Sequence, residues 1–142
     1  MEVVMKKSTK LLACAAAVAF GSSLAGGALA HHSFAMFDNS TTVKVTGEVE
    51  DMEWINPHVW LHIKVPDEGG NEVVWSFEAG SPRQLGQSGW TAESVHAGDQ
   101  IEVGFHPLKD GSNGGQLLEI TKRDGTYLCQ GGWCREKLGV TN

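Results

Sequence analysis

From Val43 onward, apolar side chains recur at every second position, the period of a half-buried strand. Val43, Val45, Gly47 and Val49 share one face, and Lys44, Thr46, Glu48 and Glu50 the other. Val59, Leu61, Ile63 and Val65 repeat the pattern, with His58, Trp60, His62 and Lys64 opposite. Pro66-Asp67-Glu68-Gly69-Gly70-Asn71 is a strong turn. Beyond it, Val73, Trp75 and Phe77 predict the inward face of a third strand. Ser81 is placed as an N-cap with Pro82 at the first helical position, and Gly86 and Gly89 hold that helix to about two turns. Thr91-Ala92-Glu93-Ser94 starts a further short turn, and 95–99 links into a strand through Gly98-Asp99. Ile101, Val103 and Phe105 make a fourth inward face. Residues 109–115 form a hairpin turn, Leu118 and Ile120 belong to a fifth strand, and Asp124-Gly125 turns the chain again.

Three strands, a short helical connection and two more strands is the order of an OB-type barrel. The expected fold is therefore all-β with one short helix, a small OB-like five-stranded β-barrel; a small β-sandwich is the alternative. The first 30 residues follow another pattern. Lys6, Lys7 and Lys10 form a basic segment, 11–24 is apolar and Ala-rich but too short to span a bilayer, and Ala28-Leu29-Ala30 is a small-x-small cleavage site. The reading is a signal peptide over 1–30, an N-terminal arm over 31–42, the barrel over 43–127 and a C-terminal tail over 128–142. Met5-Lys6-Lys7 is a more usual start than Met1-Glu2-Val3, so Met5 competes as initiator. Leu11-Leu12-Ala13-Cys14 looks like a lipoprotein box, but the apolar run continues past Cys14, where such a box would end it. A periplasmic protein released from its leader is expected.

Cleavage after Ala30 leaves 112 residues, enough for one small core. They carry 8 basic and 16 acidic side chains, a net charge of −8, which argues against a nucleic-acid partner. Cations, neutral small molecules and protein partners remain compatible. No later apolar run is long enough for a transmembrane helix. Cys129 and Cys134 are left as an isolated pair, expected to form a disulfide in an oxidising compartment. The four residues between them do not fit the redox C-x-x-C spacing; a redox or metal pair is the alternative.

The mature chain would begin His31-His32, placing a free amine beside two imidazoles. Amine and imidazole nitrogens suit Cu(II), so copper is the expected cofactor if a metal is held there. A solvated terminus without a role is the plainer alternative. In 54–62, a continuous strand would put His58, Trp60 and His62 on one face, with the two histidines roughly 13 Å apart. That face reads as an aromatic, imidazole-lined groove with Trp54, Asn56 and Glu78 as further binding candidates. The structural alternative has Trp54 and Trp60 covering a barrel end and Asn56-Pro57 shaping a bulge. Glu78 is expected as an outward strand residue beside a helix N-terminus. His106 joins His31, His32 and His58 as a metal candidate, with a surface histidine as its plainer alternative, and His96 reads as a surface histidine. Ser76 lies outside any Gly-x-Ser-x-Gly elbow, and no triad, paired carboxylates, P-loop or zinc pattern appears. An enzyme is the least favoured class.

Several pieces form a recognisable series: His31-His32-Ser33-Phe34, Gly47-x-Val49, Trp54-x-Asn56-Pro57-His58-x-Trp60, Trp75-x-Phe77-Glu78-x-Gly80-Ser81-Pro82, Gly89-Trp90, Gly98-Asp99 and Lys109-Asp110-Gly111-Ser112. Together they resemble a bacterial exported family known as domain of unknown function 6152, over about 31–125. The resemblance implies a small exported β-rich domain and carries no activity, cofactor or catalytic residue. The expected function is an exported binding protein, with copper held through His31. The competing reading is an interaction module that docks on an exported enzyme or envelope complex through Trp54, Trp60 and the acidic surface.

Overall fold

Alternating residues make strands wherever one face can be buried, and the computed structural model, which describes residues 34–139, contains them in the expected order. The elements are β1 (Val43–Glu53), β2 (Trp60–Pro66), β3 (Glu72–Glu78), α1 (Pro82–Gln87), β4 (Gln100–Pro107), β5 (Gly114–Lys122), β6 (Tyr127–Cys129) and α2 (Gly131–Leu138). The sheet order is β3-β2-β1-β4-β5-β6. Parallel pairing of Ser76–Glu78 with Gly114–Gln116 joins β3 to β5 and closes five strands into a barrel. That closure is the OB arrangement and excludes the sandwich alternative. β6 is an extra strand, pairing with Glu119–Thr121 farther along β5.

Closure depends on a missing side chain. Gly114 has φ +142°, and a Cβ there would overlap the Ser76 carbonyl oxygen. Inside, Leu61, Ile63, Phe77, Ile101, Val103, Phe105, Leu117 and Ile120 are fully buried. The Phe77 and Phe105 rings pack at 4.9 Å between centroids. α1 begins as expected: the Ser81 hydroxyl caps Gln84 N–H, and the Gln84 side chain returns to the Ser81 N–H. Its Leu85 reaches the core beside Trp90 and Val95.

Two irregularities refine the strand reading. β1 continues past Glu50 to Glu53, with a bulge between Val49 and Asp51. Glu50 has no register partner there, and the extra residue re-aims the end of β1 so that Asp51 pairs with His62 and Glu53 with Trp60. A second shift between β4 and β5 leaves Leu118 unpaired, so Leu117 and Ile120, rather than Leu118 and Ile120, point into the barrel. The expectation of a continuous strand through 54–62 is corrected. The chain leaves the ladder after Glu53, the Asn56–Pro57 peptide is cis, and β2 begins only at Trp60. The bulge therefore lies in β1, not at Asn56-Pro57. β6 is followed by α2, with Cys129 and Cys134 joined as a disulfide. No helix among the described residues is long and apolar enough to cross a membrane.

Candidate functional site

The outer surface of β1, β2 and β3 gathers the candidates from separate stretches of chain. Register places Glu53, Trp60 and Glu78 in one row across the three strands, and Asp51, His62 and Ser76 in the next. Trp60 and His62 stack with rings 7° from parallel and centroids 6.4 Å apart. His62 Nδ1 is 2.8 Å from the Ser76 hydroxyl, and its Nε2 is 3.6 Å from Glu53. Lys64, one row on, faces Glu50 at 3.9 Å. The surface is thus an aromatic–imidazole centre with an acidic border.

His58 lies outside β2 but reaches the same surface. The Val59 N–H donates to the Gly80 carbonyl and the Val59 carbonyl accepts from the Ala79 N–H, which seats the 56–59 loop against the end of β3. His58 Nδ1 is 3.0 Å from the Ala79 carbonyl and 3.3 Å from a Glu78 carboxylate oxygen. A carbonyl only accepts, so Nδ1 carries a proton, and in the neutral ring the lone pair falls on Nε2. A carbonyl or carboxylate behind Nδ1 is the usual support of a metal-ligating histidine. Glu78 was expected as an outward strand residue beside a helix N-terminus. It faces outward but is only 9% exposed, with the His58 ring against its carboxylate.

The other candidates are dispersed. His106 Nδ1 donates to the Thr41 carbonyl at 2.7 Å, the same tautomer-fixing contact. It sits on β4, separated from Glu78 by Gln116 of β5, so the barrel does not bring it to His58. His96 is an exposed neighbour of Glu93. Trp54 packs against the core rather than the open face, and Asn56 is exposed. His31 and His32 lie outside the described residues, as do the leader and Cys14. Among the described residues no three His, Cys, Asp or Glu side chains form a ready metal cluster.

Sequence reasoning missed a line of Ser76, His62 and Glu53, because these residues meet only across three strands. The line is weak as catalytic machinery. Glu53 stands beyond hydrogen-bond distance of His62, and the Ser76 N–H already bonds to Asn113 O. Also unforeseen is Glu119 on β5, 5% exposed. One of its oxygens accepts from Tyr127 OH and from Trp133 Nε1, each at 2.6 Å, and the other lies 3.5 Å from Lys44 Nζ. Burial would raise its pKa; the hydrogen bonds of Trp133 and Tyr127 and the charge of Lys44 outweigh this and hold it below the ordinary value. Burial, with the Glu119 carboxylate beside it, pushes the Tyr127 phenol up to about 12.

Residues 19–118 match the profile of a family of unknown function, DUF6152. The chain belongs to that family. No match is found among curated proteins.

Proposed function

We propose that this member of the family is an exported, periplasmic binding protein for a metal cation, with Cu(II) as the cargo. The observation that carries the reading is His58. Its Nδ1 is tied to Ala79 O and Glu78, which makes Nε2 the ring nitrogen available to a ligand at the edge of the imidazole- and carboxylate-lined face. Among first-row divalent ions, a site of nitrogen donors binds Cu(II) most tightly. The acidic balance of the chain favours cations over anions. A terminal chelate of amine and imidazole at His31, with His32 beside it, supplies a second donor set if export ends at Ala30.

The test takes the two donor sets separately. Protein with an authentic His31 terminus is titrated with Cu(II) by calorimetry and followed by electron paramagnetic resonance. One residue added before His31 converts the amine to an amide and weakens binding sharply; His31→Ala does the same. His58→Ala removes a nitrogen from the copper spectrum, while His96→Ala leaves binding unchanged. Equal affinity for the authentic, extended and His58→Ala proteins overturns the reading. A second reading then takes its place: a docking module for an exported enzyme or envelope complex, centred on Trp60, with Trp54 the next residue to mutate. It is favoured by the half-exposed Trp60–His62 stack and by Ile55, which is 53% exposed.

A further inference from the structure

We propose that the Cys129–Cys134 disulfide is a redox-sensitive latch. Closed, it docks α2 over the Glu119 carboxylate; opened by a dithiol reductant, it releases the helix and uncovers that carboxylate on the barrel surface.

The inference starts from what holds α2. Its eight residues include none that is buried, and its N-cap, Gln130, makes no side-chain capping bond. A helix this short is not stable alone in water. Among the described residues, two ties join it to the barrel beyond its base at Gln130. One is covalent, from Cys129 at the end of β6 to Cys134 on the helix. The other is the Trp133 indole N–H on Glu119, with the Trp133 ring edge-on to His106 and Lys137 above its face. The packed core cluster among the described residues runs from Val49 to Ile120, with the partly buried Leu128 against it, and includes no residue of α2. Gln130 anchors the base of the helix independently, accepting from Gly80 N–H and donating to the Leu117 carbonyl. Opening the disulfide therefore acts on α2 and leaves the barrel closed.

The exchange balances with an external dithiol. One of its thiolates attacks a sulfur of the pair and forms a mixed disulfide; its second thiol displaces the protein sulfur. Cys129 and Cys134 gain two electrons and two protons, and the reductant leaves as a disulfide. Loss of Trp133 then leaves Glu119 with Tyr127 and Lys44 at an open surface.

Amide hydrogen exchange resolved by segment, with Trp133 fluorescence, tests this on the full mature chain before and after dithiothreitol. Cys134→Ser serves as a permanently open form. Reduction and Cys134→Ser are both expected to speed exchange over 131–138 at least tenfold and to shift the Trp133 signal, with β1–β5 protection unchanged. Unchanged protection of α2 after complete reduction overturns the latch, since Trp133 alone would then hold the helix. Loss of β1–β5 protection along with α2 overturns it as well, since the bond would then be a staple for the whole domain. Trp133→Phe in the oxidised protein separates the two ties: α2 stays protected if the disulfide is the dominant one, and loss of that protection counts against the proposal.

Discussion

Replacing Gly114 by Ala strikes the barrel where it closes. Two costs arise. The φ of +142° is a conformation in which a side chain costs about 1–3 kcal/mol. The added methyl also overlaps the Ser76 carbonyl, so β3 and β5 must part over Ser76–Glu78 and Gly114–Gln116. Giving up about two backbone hydrogen bonds there adds about 2 kcal/mol. Together, roughly 3–5 kcal/mol is lost from a domain whose total stability is on the order of 5–15 kcal/mol. Gly111 is the matched control. Its φ is +79°, and a Cβ there meets nothing within 4 Å, so Gly111→Ala bears only the backbone cost, about 1–2 kcal/mol. Urea unfolding of both variants beside the parent measures the difference. The Gly114 variant should also lose the His62–Ser76 hydrogen bond, visible in the His62 imidazole resonances. Equal losses for the two substitutions would refute the idea that closure requires the missing side chain.

Glu119→Gln should destabilise the protein by about 1–2 kcal/mol, because bonds to a charged acceptor become bonds to a neutral one. The native Glu119 pKa lies below its ordinary 4.5, so its stabilising contribution is complete above pH 4.5 and disappears as pH falls through the native value. An acid titration of Trp133 fluorescence should show that step in the parent and lack it in Glu119→Gln. Trp90→Phe removes the buried indole bond to the Cys129 carbonyl and should cost about 1–3 kcal/mol in thermal or urea unfolding. Protein recovered from the periplasm should have an intact mass matching a chain that starts at His31; a retained leader or a lipid on Cys14 would contradict this.

The barrel was legible because its strands are local and half-buried. Leu61, Ile63, Phe77, Ile101, Val103 and Phe105 announce their faces by alternation alone, and Ser81-Pro82 marks α1 by capping chemistry. The bulges at Val49/Asp51 and Gly104/Phe105 were not legible. Each inserts one residue into a ladder between neighbouring strands, and the alternation within either strand carries no sign of it. The rows Glu53–Trp60–Glu78 and Asp51–His62–Ser76 follow from the first of these bulges, so the site was visible as a list of residues but not as a surface. α2 was missed because it buries no face and therefore has no amphipathic signature. Glu119 was overlooked because its partners Tyr127 and Trp133 arrive from segments that bury little apolar surface.

Pairing β1 with β4 rather than with β3 sets the order in which the molecule can assemble. β1, β2 and β3 are sequence neighbours, so their meander, with the whole candidate face, forms through short-range contacts. The opposite edge of β1 waits for residues about 52 to 62 positions later, from Gln100 for Glu48 to Phe105 for Val43. Contacts of that separation slow folding, because the intervening chain must be ordered before they form. In a chain made from its N-terminus, the β1–β3 segments precede β4, and the β1 edge that β4 covers is unpaired until then. Until β4 is complete, that edge is open to strands of other chains. Its alternating Lys44, Glu48 and Glu50 side chains supply the charges that discourage such pairing in the interval.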